Sequence, residues 1–187
     1  MVNVRLRAAA PFLVFLAVMS GFAGTSAAAD KTTCSFAFEV VAGGTHGTIG
    51  TGDTLQGKLD FTILGANLKG DTKHYQAVGR LTVSAAGHGT LSGDVWYVQV
   101  RRAEHLADYI SVGIRGEVGN LGNETRYVSP TLVTVYGKRG HLTSFDLPKR
   151  PDVWNALQSK RVFQFHSPNA VEGAFYDIGP FVGGCAP

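Results

Sequence analysis

Between residues 54 and 64 every second position is apolar or glycine: Leu55, Gly57, Leu59, Phe61 and Ile63 alternate with Gln56, Lys58, Asp60 and Thr62. A period of two cannot give a helix one apolar face, but as a strand it buries one side of a sheet and wets the other. Residues 35–41 repeat the pattern, with Phe36, Phe38 and Val40 against Glu39. The two segments are expected to be core-facing neighbours, joined by the Gly/Thr-rich loop of residues 43–53.

Further strands are predicted at intervals that suit a sandwich or a barrel. Residues 74–84 place Tyr75, Ala77, Leu81 and Val83 on one face. Residues 94–102 are expected to turn Trp96, Val98 and Val100 inward and Gln99 and Arg101 outward. Residues 109–115 alternate around Ile110, Val112 and Ile114, and strong β-formers fill 131–136, 162–165 and 174–178. The 24 glycines recur every few residues, as the turns between many short strands require. The fold class is therefore all-β: a single antiparallel β-sandwich, jelly-roll-like, or a barrel-like domain. One short helical turn is predicted near residues 152–157, where Pro148 and Pro151 stop any strand and Asp152 can cap a turn carrying Val153, Trp154 and Leu157.

The first residues carry Arg5 and Arg7 and no acid, followed by an apolar stretch from Ala8 to Ala23 and then Thr25-Ser26-Ala27-Ala28-Ala29. That order is a cleavable signal peptide over residues 1–29, cut before Asp30, leaving a secreted β-rich domain over 30–187. The apolar core is shorter than the ~20 residues a bilayer span needs, so no membrane span is expected after cleavage. Lys31-Thr32-Thr33 before Cys34 is too polar for a lipidation box. The expected location is secreted or periplasmic.

Cleavage also changes the charge. The chain has 17 basic and 14 acidic residues; two of the basic ones leave with the leader and no acidic one does, so the net charge falls from +3 to +1. A nearly neutral domain, whose basic pairs are only two residues long, gives no reason to expect nucleic acid as a partner.

Two cysteines, Cys34 and Cys185, stand near the two ends of the domain. An even count in an exported chain predicts a disulfide joining the first strand to the last segment. Neither lies in a C-x-x-C or has a histidine at ligand spacing, so no metal is expected.

His46, His74, His88, His105, His141 and His166 form no H-x-H or H-x-x-x-H pair. No G-x-S-x-G and no P-loop occurs, and no cofactor is implied. Glu104, His105 and Asp108 are the candidates for acid–base chemistry, because two acids and an imidazole fall within five residues beside a strand. Asn123-Glu124-Thr125 fits the glycosylation pattern. A different candidate site is aromatic: Tyr97, Tyr109, Tyr127 and Tyr136 fall at outward positions of neighbouring strands, a surface suited to stacking on sugar rings or docking a protein.

Gly52-Asp53-Thr54-Leu55-Gln56-Gly57-Lys58-Leu59-Asp60-Phe61 resembles a G-D-x-x-x-G-x-x-x-F strand entry, and Leu147-Pro148-Lys149-Arg150-Pro151-Asp152 resembles an L-P-x-x-P-D link before a closing hairpin. Both are similar to the β-sandwich domain of secreted bacterial proteins of the PEP-CTERM-tagged kind. Here Gly184-Cys185-Ala186-Pro187 stands in place of the sorting tail. The resemblance implies an extracellular β-sandwich and no defined activity.

The leading expectation is an exported, non-enzymatic β-domain that binds a glycan, a surface component or a partner protein. One alternative is a small secreted hydrolase or isomerase with a histidine/acid site at one end of the domain. The other is a structural component of an extracellular matrix.

Overall fold

The computed structural model describes residues 31–103, 106–116, 119–123, 129–166 and 174–186. The expected leader and the candidates Glu104, His105 and Tyr127 lie outside the described residues.

The described residues form nine strands: β1 Thr33–Val41, β2 Thr54–Lys69, β3 Thr72–Ser84, β4 Thr90–Arg101, β5 Asp108–Arg115, β6 Ser129–Gly137, β7 Lys160–His166, β8 Ala174–Ile178 and β9 Val182–Ala186. A helical turn, α1 Pro151–Ala156, sits between β6 and β7 where the prolines predict it. Each strand from β1 to β8 pairs antiparallel with the next, and β8 returns to β1 through Ile178 opposite Val40. Of the two all-β arrangements expected, the chain adopts the closed one, an eight-stranded antiparallel barrel. Closure leaves few strand edges open to water.

The ninth strand has no counterpart in the predicted elements. Val-Gly-Gly-Cys-Ala carries little β-propensity. It continues along the edge of β1 where β8 leaves off, with Val182 opposite Ala37 and Cys185 opposite Cys34. The expected Cys34–Cys185 disulfide closes directly between these two strands.

Alternation decides what fills the barrel. In β1 the buried residues are Cys34, Phe36, Phe38 and Val40, and the exposed ones lie between them. Gly57 of β2 makes room for Phe38, whose ring a Cβ there would overlap. Trp154 of α1 drops into the end where β1 and β9 meet, 4.8 Å from the Phe36 ring and 5.5 Å from Phe181. Its indole N–H donates to the Pro148 carbonyl at 2.8 Å, so the largest core side chain leaves no polar atom unsatisfied. At the opposite end the loop after β1 folds back through a His46–Ile49 bridge and buries Ile49. The interior is thus a packed core and not a channel.

One expectation fails in β4. The pairing slips by a residue at three adjoining places: after Ile63 in β2, between Gln76 and Gly79 in β3, and between Val95 and Tyr97 in β4. Each slip is a β-bulge, and an extra residue exchanges the faces of everything beyond it. Val95 is therefore buried beside Val98, while Trp96, expected inward, is 46% exposed on the outer wall. Strand β2 continues past its own bulge, beyond its expected end at Leu64, to Lys69.

Candidate functional site

The bulge turns the outer wall of β3 to β6 into a surface of rings. On β4, with Val98 and Val100 inward, Tyr97 and Gln99 face out. Tyr109 of β5 stands directly opposite Tyr136 of β6, their rings 5.7 Å apart and edge to face. Tyr97 lies opposite Gly113, where a Cβ would overlap its ring, so the absence of a side chain lets the phenol lie down on the sheet. Trp96 meets Tyr97 edge to face at 4.5 Å. Burial raises the phenol pKa of Tyr97 and Tyr136, with Tyr109 adding to both, so both hydroxyls stay protonated donors in neutral solution.

Polar groups edge these rings in a definite order. The Tyr109 hydroxyl donates to Gln99 Oε1 at 3.4 Å. Gln99 Nε2 lies 3.1 Å from His74 Nδ1. With Oε1 accepting, the amide donates to Nδ1, which leaves the other imidazole nitrogen of His74 as an N–H donor. His74, Asn67, Gln76, Gly65, Trp96 and Tyr97 line an open groove of about 520 Å³. Arg115 stacks over Trp96 at 5.8 Å and Arg101 over Tyr109 at 5.7 Å. Exposed Leu64 and Val78 extend the apolar surface beside Trp96.

Of the four tyrosines expected to form a ligand surface, Tyr97, Tyr109 and Tyr136 come together and Tyr127 is outside the described residues. The surface is faceted, not flat, with interplanar angles of 61° and 83° in the two edge pairs. Sequence reasoning missed Trp96, because only the bulge brings it out, and His74 as a groove residue. A signal for the first existed in the Val95-Trp96-Tyr97-Val98 run, whose apolar residues are unbroken where the alternation should continue.

The acid–base candidates resolve differently. Asp108 is 1% exposed, and its carboxylate accepts the Leu142 amide N–H at 2.9 Å. Among the described histidines, His74 lies in the wall groove. His46 packs edge-on to Phe165 at 4.9 Å in the loop after β1, and His88 Nδ1 bonds the Thr48 hydroxyl at 2.7 Å. Those two, and His166 at the end of β7, sit at the end of the barrel opposite Asp108, whereas His141 lies on the turn after Gly137, the residue that faces Asp108 across the sheet. Among the described residues no group of three or more histidine, cysteine or acidic side chains is placed to hold a metal, and no helix is long and apolar enough to cross a membrane.

No family model matches the chain, and no curated protein or solved structure does either.

Proposed function

We propose that this chain is an exported, non-enzymatic barrel that binds a glycan on its outer wall. The observation that carries the reading is the row Trp96, Tyr97, Tyr109 and Tyr136, ring surfaces edged by the donors and acceptors of His74, Gln99, Asn67 and Gln76. Sugar rings offer an apolar face of C–H groups and a rim of hydroxyls, and a bound sugar needs both partners at once. The facets at 61° and 83° suit a twisted, soluble oligosaccharide better than the flat face of a crystalline one. Export is supported by the leader-like pattern of residues 1–29 and by a disulfide, which persists in an oxidising compartment.

A glycan-array screen of the disulfide-bonded domain tests this. At least one oligosaccharide class should be retained, and Trp96→Ala, at a side chain 46% exposed on the outer wall, should lose it by roughly tenfold, as expected for an aromatic contact of about 1.5 kcal/mol. No retained glycan, or retention unchanged by Trp96→Ala, would overturn the reading.

A further inference from the structure

The end of the barrel that carries the β4–β5 connection holds a second cavity, of about 300 Å³, lined by Arg102, Asp108, Arg139, Gly140, Leu142 and Phe145. We infer that this pocket binds a small hydroxylated carboxylate, of the class of a sugar acid or a hydroxy acid. The inference is independent of the wall groove.

The pocket is built before any ligand arrives. The backbone of Leu142 is gripped at both of its peptide groups, its N–H by Asp108 Oδ2 at 2.9 Å and its carbonyl by Arg102 Nε at 2.8 Å. The Arg102 guanidinium also lies over the Phe145 ring at 5.1 Å. Phe145 is itself anchored, because its carbonyl accepts the Tyr75 hydroxyl at 2.7 Å. These contacts hold Arg102 through Nε and through the face of its guanidinium. A guanidinium held through Nε presents the other two nitrogens as a fork, and the fork matches the two oxygens of a carboxylate. Arg139 also lines the cavity, from the exposed turn at Gly140, whose φ of 80° is one that glycine adopts without strain.

Charge selects among anions. Among the described lining residues two arginines and the buried Asp108 sum to one positive charge, which a monoanion balances and a phosphate dianion exceeds. Asp108 also repels a second anionic oxygen brought close to it, yet accepts a hydroxyl proton. A ligand with a hydroxyl next to its carboxylate satisfies both, the carboxylate toward Arg102 and Arg139 and the hydroxyl toward Asp108. The volume suits one ring or a short chain, and the Phe145 ring supplies an apolar wall.

Titration calorimetry on the disulfide-bonded chain at neutral pH tests the assignment with galacturonate, galactose and inorganic phosphate as probes. Galacturonate should bind, galactose should bind at least tenfold more weakly, and phosphate should not exceed galacturonate. Arg139→Gln, on an exposed turn and outside the core, should weaken galacturonate roughly tenfold, the loss of one charge-assisted hydrogen bond. Trp96→Ala should leave this binding unchanged, which separates the pocket from the wall groove. Absence of galacturonate binding, galactose binding as tightly, phosphate binding more tightly, insensitivity to Arg139→Gln, or loss in Trp96→Ala would each overturn it.

Discussion

Gly113 shows how one missing Cβ shapes the wall. Its place opposite Tyr97 lets that ring lie on the sheet. Gly113→Val should therefore lift Tyr97 and weaken the retained glycan about three- to tenfold, the range for one aromatic contact. Binding isotherms of the variant beside Trp96→Ala measure this; equal affinity to wild type would show that the ring's position is immaterial. Asp108 acts differently, as the acceptor that holds the strap after β6. Asp108→Ala should cost about 1–3 kcal/mol in urea unfolding, because it leaves the Leu142 N–H buried and unpaired. Both residues are legible in the sequence as types, a glycine and an acid beside a strand. Their roles are not, since each depends on a partner far along the chain.

At the scale of elements, β9 and the strap of residues 138–150 are held in different ways, the strap by side-chain bonds from several strands and β9 by β1 and the disulfide. Strand β9 is largely exposed and glycine-rich, pairs among the described strands with β1, and is tied to it by the disulfide. The bond spans 151 residues, for which the chain-entropy relation gives about 5 kcal/mol. Cys34→Ser with Cys185→Ser should thus lose several kcal/mol, and hydrogen exchange should quicken first in β9. Equal protection of β9 with and without the bond would contradict the arrangement. The strap is pinned by Lys73 to Asp146 at 2.9 Å. The hydrogen bond from Lys73 holds the Asp146 carboxyl below the usual aspartate value. A depressed folded value means the contribution is complete above the unfolded pKa, near 3.9, and disappears as pH falls through the folded one. Asp146 is largely exposed, so Asp146→Asn should cost under ~1 kcal/mol at pH 7. Wild type and variant should converge in acid, and a gap that persists at pH 2 would argue against the ion pair. Sequence periodicity foresees β1 to β8 because their alternation is strong. It misses β9, which pairs through register and a disulfide and not through propensity.

In the whole molecule, closure is the property that local pattern does not contain, and bulging one that it marks only by the broken alternation at Val95-Trp96-Tyr97-Val98. Alternation says that residues 54–64 bury one face, but whether that face meets a second sheet or the far wall of a barrel depends on β8 reaching β1. The three adjoining bulges then decide which side of β4 is wet, and with it whether Trp96 belongs to the core or to the wall. Tyr97, Tyr109 and Tyr136 are readable from outward positions on successive strands, whereas their union with Trp96 and His74 needs the register. The chain's two tryptophans report on the two sides of that wall, Trp96 outside and Trp154 fully buried in the core. The most direct test is a 1H–15N titration of the indole signals with the oligosaccharides retained on the array. The Trp96 indole should shift with saturation while the Trp154 indole stays in place; an unmoved Trp96 signal at saturating glycan would contradict a binding site on the barrel wall.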